Sequence, residues 1–148
     1  MNIVDDFELK IGLQPNILPG DPEEFKKYLV MDVTQIEKLD SKDCANISYR
    51  LGQFSLYIQR SLNKEKAISR ILTHKINKMI SRNINQYSGA WNMQRAAAIA
   101  DNDAAATLSD QLVESEIKQD SLEYVSSGLK ELANQMKNIQ FSKRESNV

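Results

Sequence analysis

After Pro22 this chain of 148 residues contains no further proline. From Asp40 or Ser41 onward its apolar residues recur at helical intervals. They fall at Ile47, Leu51, Phe54, Ile58 and Leu62, then at Ile68, Leu72, Ile76, Met79, Ile80, Ile84 and Tyr87. Spacing of three and four residues over about six heptads demands an amphipathic helix longer than most globular helices. Gly89 follows Tyr87 and suits a helix end, which predicts one helix of about 45 residues, roughly 65 Å long at 1.5 Å per residue. Such a helix cannot bury its apolar stripe against itself, so it needs a second helix or a second chain.

The second helix is predicted to begin near Asp101 or Asp103. Its later half carries a heptad at Leu122, Val125, Leu129, Leu132, Met136 and Ile139, which reads as a core or oligomer seam and is assigned to oligomerisation. Gly128 lies within it, where a close helix crossing would account for a residue that costs about 1 kcal/mol relative to alanine. Between the two long helices, Trp91 and an alanine-rich stretch suggest one weak helix or two short ones broken at Asn102. At the front, Asp21-Pro22-Glu23-Glu24 is a strong helix start: Asp caps, Pro tolerates the first turn and acids suit the N-terminal dipole. That helix should end near Met31. Residues 32–39 read as a connector anchored by Thr34, Ile36 and Leu39. Residues 1–20, broken by Pro15, Pro19 and Gly20 and apolar at Ile11, Leu13, Ile17 and Leu18, read as an arm, and residues 145–148 as a frayed tail. The expected fold is therefore all-α: a single helical domain, residues 21–144, built as a long helical hairpin with a short N-terminal helix. A thin hairpin buries little per unit length, so a homo-oligomer is expected.

Charge is distributed unevenly under a formal total of −1. Residues 44–87 hold eight basic side chains and one acid, Glu65, whereas residues 1–43 carry ten acids against five lysines. On the long helix Arg60, Lys64, Lys75, Lys78 and Arg82 fall within an arc of roughly 60°, with Tyr49 and Tyr57 on or beside it. Basic side chains along a groove, with rings for bases to stack on, are what sequence-independent binding of single strands requires. The competing reading is a solvated face that pairs with an acidic neighbour, although solvated faces usually mix signs.

Catalytic signals are absent from the pattern. The lone His74 and lone Cys44 make no metal or nucleophile constellation, and no phosphate loop is present. Cys44 at a helix start invites a lowered thiol pKa, but the reading adopted is structural. One cysteine excludes an internal disulfide, and no apolar run reaches the roughly 20 residues of a membrane span. No cofactor and a cytoplasmic location are expected. Tyr87 and Trp91, around Ser88-Gly89, read as an aromatic pair that packs the turn.

The layout resembles the phage recombination mediators of the UvsY type. The likeness rests on Asp32-x-Thr34 in the connector, on the stretch INKMISRNINQYSG that ends the basic helix, on Asp120-Ser121-Leu122-Glu123-Tyr124, and on the ending MKNIQFSKRE. It covers about residues 22–144, and the order and spacing of these short motifs carry it. The chain departs from the pattern in its N-terminal extension, in one turn tyrosine followed by Trp91, and in an early C-terminus. The resemblance implies a non-catalytic homo-oligomer that binds single-stranded DNA, weakens the hold of the single-strand-binding protein and helps a RecA/UvsX-like recombinase to load. It places DNA contact on Arg60, Lys64, Lys66, Arg70, Lys75, Lys78 and Arg82; the charge pattern adds Arg50 and Tyr57. Two other classes fit the residues: a structural or assembly protein of a phage particle that docks its basic face on an acidic neighbour, and an adaptor that binds proteins through the C-terminal heptad.

Overall fold

The computed structural model describes residues 3–12 and 19–146. Six α-helices follow one another among the described residues: α1 (Ile3–Lys10), α2 (Pro22–Leu29), α3 (Val33–Glu37), α4 (Ser41–Ile80), α5 (Trp91–Ala100) and α6 (Asp103–Ser146). A single 3₁₀ turn, Ile84–Gln86, lies between α4 and α5. The fold is all-α, and the two long helices pack against each other. The chain divides into two compact units, Met1–Asp6 with Leu62–Ser121 and Phe7–Ser61 with Leu122–Val148.

The second of these units has the larger core. Cys44, Ile47, Leu51 and Phe54 of α4 are buried with Leu129 and Met136 of α6. Leu132 and Ile139 pack on this cluster, as do Phe25, Tyr28, Ile36 and Leu39. Polar contacts between the long helices here come from serines at seven-residue intervals on α4. Ser41 Oγ donates to the carbonyl of Gln140 at 3.4 Å, Ser48 Oγ to that of Ala133 at 2.9 Å, and Ser55 Oγ to that of Ser126 at 3.2 Å. A side chain as short as serine reaches an opposing main-chain carbonyl only where the two backbones lie close. The small residues Ala133 and Ser126 opposite Ser48 and Ser55 permit that approach, and each half-buried hydroxyl has a partner.

Helix α2 docks on α4 through one apolar and one ionic contact. The rings of Phe25 and Phe54 stack with centroids 4.2 Å apart. Arg50 forks onto Glu24, with Nε donating to Oε1 at 3.2 Å and Nη2 to Oε2 at 3.0 Å, while the Tyr28 hydroxyl donates to Glu24 Oε1 at 2.6 Å. The hydrogen bond from Arg50, and then that from Tyr28, hold the Glu24 carboxyl below its ordinary value of 4.5. Burial, and then the bond to Glu24, push the Tyr28 phenol up to about 12. A lowered carboxyl stabilises the fold above its unfolded value, and that contribution disappears as pH falls through the folded value; a raised phenol stabilises below its unfolded value and is lost as pH climbs towards 12. Thermal melts on the acid side should therefore lose stability below about pH 4.5, and Glu24→Gln should flatten that part of the profile. An unchanged acid limb in this variant would remove Glu24 from the account.

The other unit buries Leu62, Leu72 and Ile76 of α4. Glu65 turns into the contact with α6, where Ser115 Oγ donates to its Oε2 at 2.9 Å and Gln119 Nε2 to its carbonyl at 3.4 Å. Ile80 is buried with Ala98 and Ala105, and Ile84, Tyr87 and Ile99 pack on them. Asn102 separates α5 from α6 and caps the latter, accepting from the Ala105 amide at 3.1 Å.

Several expectations change. The long basic helix is 40 residues and ends at Ile80 rather than near Tyr87. Ser81, Asn83 and Asn85 are poor helix formers, and leaving the helix lets Ile84 and Tyr87 fold back onto Ala98 and Ile99. Gly89, with φ +104, serves the entry to α5 instead. The connector holds a helix, because Asp32 and Gln35 form a reciprocal capping box at 2.8 and 2.9 Å. The arm holds helix α1; Leu13, Pro15, Ile17 and Leu18 lie outside the described residues. Of the tail expected to fray, Glu145 and Ser146 close α6, where Lys143 Nζ donates to the carbonyls of Ile36 at 2.7 Å and of Leu39 beside the C-terminal end of α3; residues 147–148 lie outside the described residues. No crossing explains Gly128: a methyl group there would meet nothing within 4 Å. Gly128→Ala should therefore raise stability by about 1 kcal/mol in a denaturant titration; a loss would mean that the bare backbone is needed.

Candidate nucleic-acid interface

The nine residues expected at a DNA surface fall into two classes. Arg50 is held by Glu24. Arg60 pairs with Glu8 and Lys64 with Asp5, both at 2.5 Å. Tyr57 is half-buried. Lys66, Arg70, Lys75, Lys78 and Arg82 are exposed and form no side-chain ion pair among the described residues. Glu65, the one acid of the segment, is hydrogen-bonded to Ser115 in the helix–helix contact, so the cationic surface of α4 is less diluted than a residue count suggests.

Helical geometry divides these exposed cations. Lys75 and Lys78 share one flank of α4. Lys66 and Arg70 lie on the other, in register with Thr73 and Asn77 at i, i+4, i+7 and i+11. This second flank meets α5. Thr73, Asn77, Trp91, Asn92, Arg95 and Ile99 line an open groove of about 650 Å³. Trp91 is 60% exposed. The Arg95 guanidinium stands over its ring, 6.0 Å from the centroid, and Arg95 Nε donates to Asn77 Oδ1 at 3.4 Å. An exposed indole braced by a guanidinium offers a flat face of the kind on which a base can stack, and Arg70 and Lys66 put positive charge one and two turns before Thr73. The capacity of this surface is thus charge and stacking without base-edge selection.

Trp91 and Tyr87, expected to pack the turn as a pair, separate. Tyr87 packs inward, and its hydroxyl donates to Asp101 at 2.6 Å, which raises its pKa. Trp91 stays out. Sequence reasoning missed Arg95 and Asn77 as groove residues. The available signal was the i, i+4 spacing of Trp91 and Arg95, which places them on one side of α5.

The expected oligomerisation heptad also divides. Leu129 and Met136 are buried in the chain's own core, Leu132 and Ile139 pack on it, and Leu122 is half-buried. Val125 remains 38% exposed. With Leu29, Tyr124 and Leu132 it lines an open, largely apolar groove of about 680 Å³.

Cys44 is fully buried, and desolvation pushes its thiol above the ordinary value, opposite to the direction that a helix start suggests. Among the described residues no group of three His, Cys, Asp or Glu side chains is gathered for a metal ion, and no helix is long and apolar enough to cross a membrane. No known protein family, curated protein or solved structure matches the chain.

Proposed function

We propose that this chain is a non-catalytic recombination mediator that binds single-stranded DNA and assists the loading of a RecA/UvsX-like recombinase in place of single-strand-binding protein. It would act as a homo-oligomer in the cytoplasm, that of the host if phage-encoded. The observation that carries the reading is the flank of α4 on which Lys66 and Arg70, both exposed and without an ion pair among the described residues, lead into the groove of Trp91 and Arg95. The resemblance to UvsY-type mediators supplies the partners. Self-association is assigned to the apolar groove of Leu29, Tyr124, Val125 and Leu132, because the rest of the heptad is spent within the chain. Repeating the cationic flank in several subunits would let one strand engage more than one copy and raise avidity.

The test is a titration with fluorescent oligo(dT) at two salt concentrations, alongside a solution mass measurement. Salt-dependent binding by a multimer supports the reading. A multimer with no affinity at moderate salt that co-purifies with particles would replace it with the assembly-protein reading, which the exposed apolar groove also favours.

A further inference from the structure

Helix α1 is attached to α4 in an unusual way. A surface helix normally turns its apolar side inward, yet the only buried residue of α1 is Glu8. Ile3 and Phe7 are 63% and 60% exposed. Two of its carboxylates reach α4. Glu8 accepts from Arg60 Nε at 3.2 Å and from Nη2 at 2.5 Å, a bidentate fork, and Asp5 accepts from Lys64 Nζ at 2.5 Å. The side chains involved are largely shielded, Glu8 being 11% and Lys64 19% exposed.

Arg60 and Lys64 are one turn apart on the flank of α4 that also carries Lys75 and Lys78. A guanidinium fork that fits a carboxylate fits a phosphate equally well. We infer that Arg60 and Lys64 are a second phosphate-binding row, and that the carboxylates of α1 occupy it as an intramolecular competitor which a single strand displaces. The inference rests on the proposed single-strand binding. It adds that the N-terminal helix sets the affinity, and that Arg60 and Lys64 engage the strand only once α1 has left. With Ile3, Phe7 and Leu9 exposed, Val4 only half-buried and the ionic contacts inward, α1 has little buried apolar area to hold it once a polyanion offers the same charges.

Two measurements on the full chain test this. The first compares oligo(dT) binding by the unmodified protein and by the isosteric double variant Asp5→Asn/Glu8→Gln. Removal of the competitor should tighten binding about tenfold and steepen the salt dependence, by up to about 0.7 for each of the two released cations. The second follows trypsin cleavage after Lys10 in the unmodified protein, which saturating oligo(dT) should accelerate as α1 lifts. Equal affinities for variant and unmodified protein, or cleavage after Lys10 that DNA leaves unchanged, would overturn the inference while the DNA-binding reading stands. Absence of binding by both proteins would reject the reading and the inference together. Cleavage decides the matter should the double variant fold poorly.

Discussion

Replacing Lys66, Arg70, Trp91 and Arg95 together with alanine is expected to weaken oligo(dT) binding by about 100-fold or more. Loss of a stacking platform costs about 1–3 kcal/mol per base, and each lost phosphate contact removes a salt-dependent term. The components separate experimentally. Trp91→Ala alone should lower affinity with little change in salt slope. Lys66→Ala/Arg70→Ala should flatten the slope by about 1.4, or 0.7 per phosphate on a single strand. None of these side chains belongs to either buried cluster, so the variants should keep their helicity and mass. A folded quadruple variant that still binds at full strength would remove the groove from the proposal.

The largest stability effect is expected at Phe54. Its side chain is 1% exposed and stacks on Phe25 within the cluster of Cys44, Leu51 and Leu129. Phe54→Ala should cost about 4 kcal/mol, the transfer term plus the cavity left behind. In a domain of this size that lowers the melting temperature by about 10 °C or more. Because the ring stacks directly on Phe25 of α2, Phe25→Ala should be strongly non-additive with it, with a coupling of about 1 kcal/mol in a double-mutant cycle. Additive effects would mean that the Phe25–Phe54 stack does not hold α2, leaving Tyr28 and the Arg50–Glu24 fork.

Much of the fold was legible because apolar periodicity is a direct imprint of helix burial. The stripe from Ile47 to Ile76 predicted the buried face of α4, and Asp21-Pro22 predicted the start of α2. The heptad from Leu122 to Ile139 places Leu129, Leu132, Met136 and Ile139 at the contact with α4, but its apolar members show only part of that seam. Ser126 and Ala133 meet the facing helix, whereas Val125 turns outward. Small and polar seam residues give no hydrophobic signal, so an interface built on close backbones and serine hydroxyls is invisible to periodicity. The end of α4 differs for a related reason: Ile84 and Tyr87 keep helical spacing but are half-buried by tertiary packing on Ile80, Ala98 and Ala105.

The candidate site followed the same division. By itself the sequence determined that the chain is helical, that residues 44–87 are cationic, and that the first 43 residues are acidic, since these depend only on residue type and local spacing. Which cations remain available was decided by tertiary structure. Asp5, Glu8 and Glu24 are far in sequence from Lys64, Arg60 and Arg50, yet meet them in pairs. Arg95, outside the cationic segment, joins the site through Asn77. Ion pairing acts over a few ångströms of space rather than along the chain, so charge counts predict a field, and only the fold determines which part of it is free for a ligand.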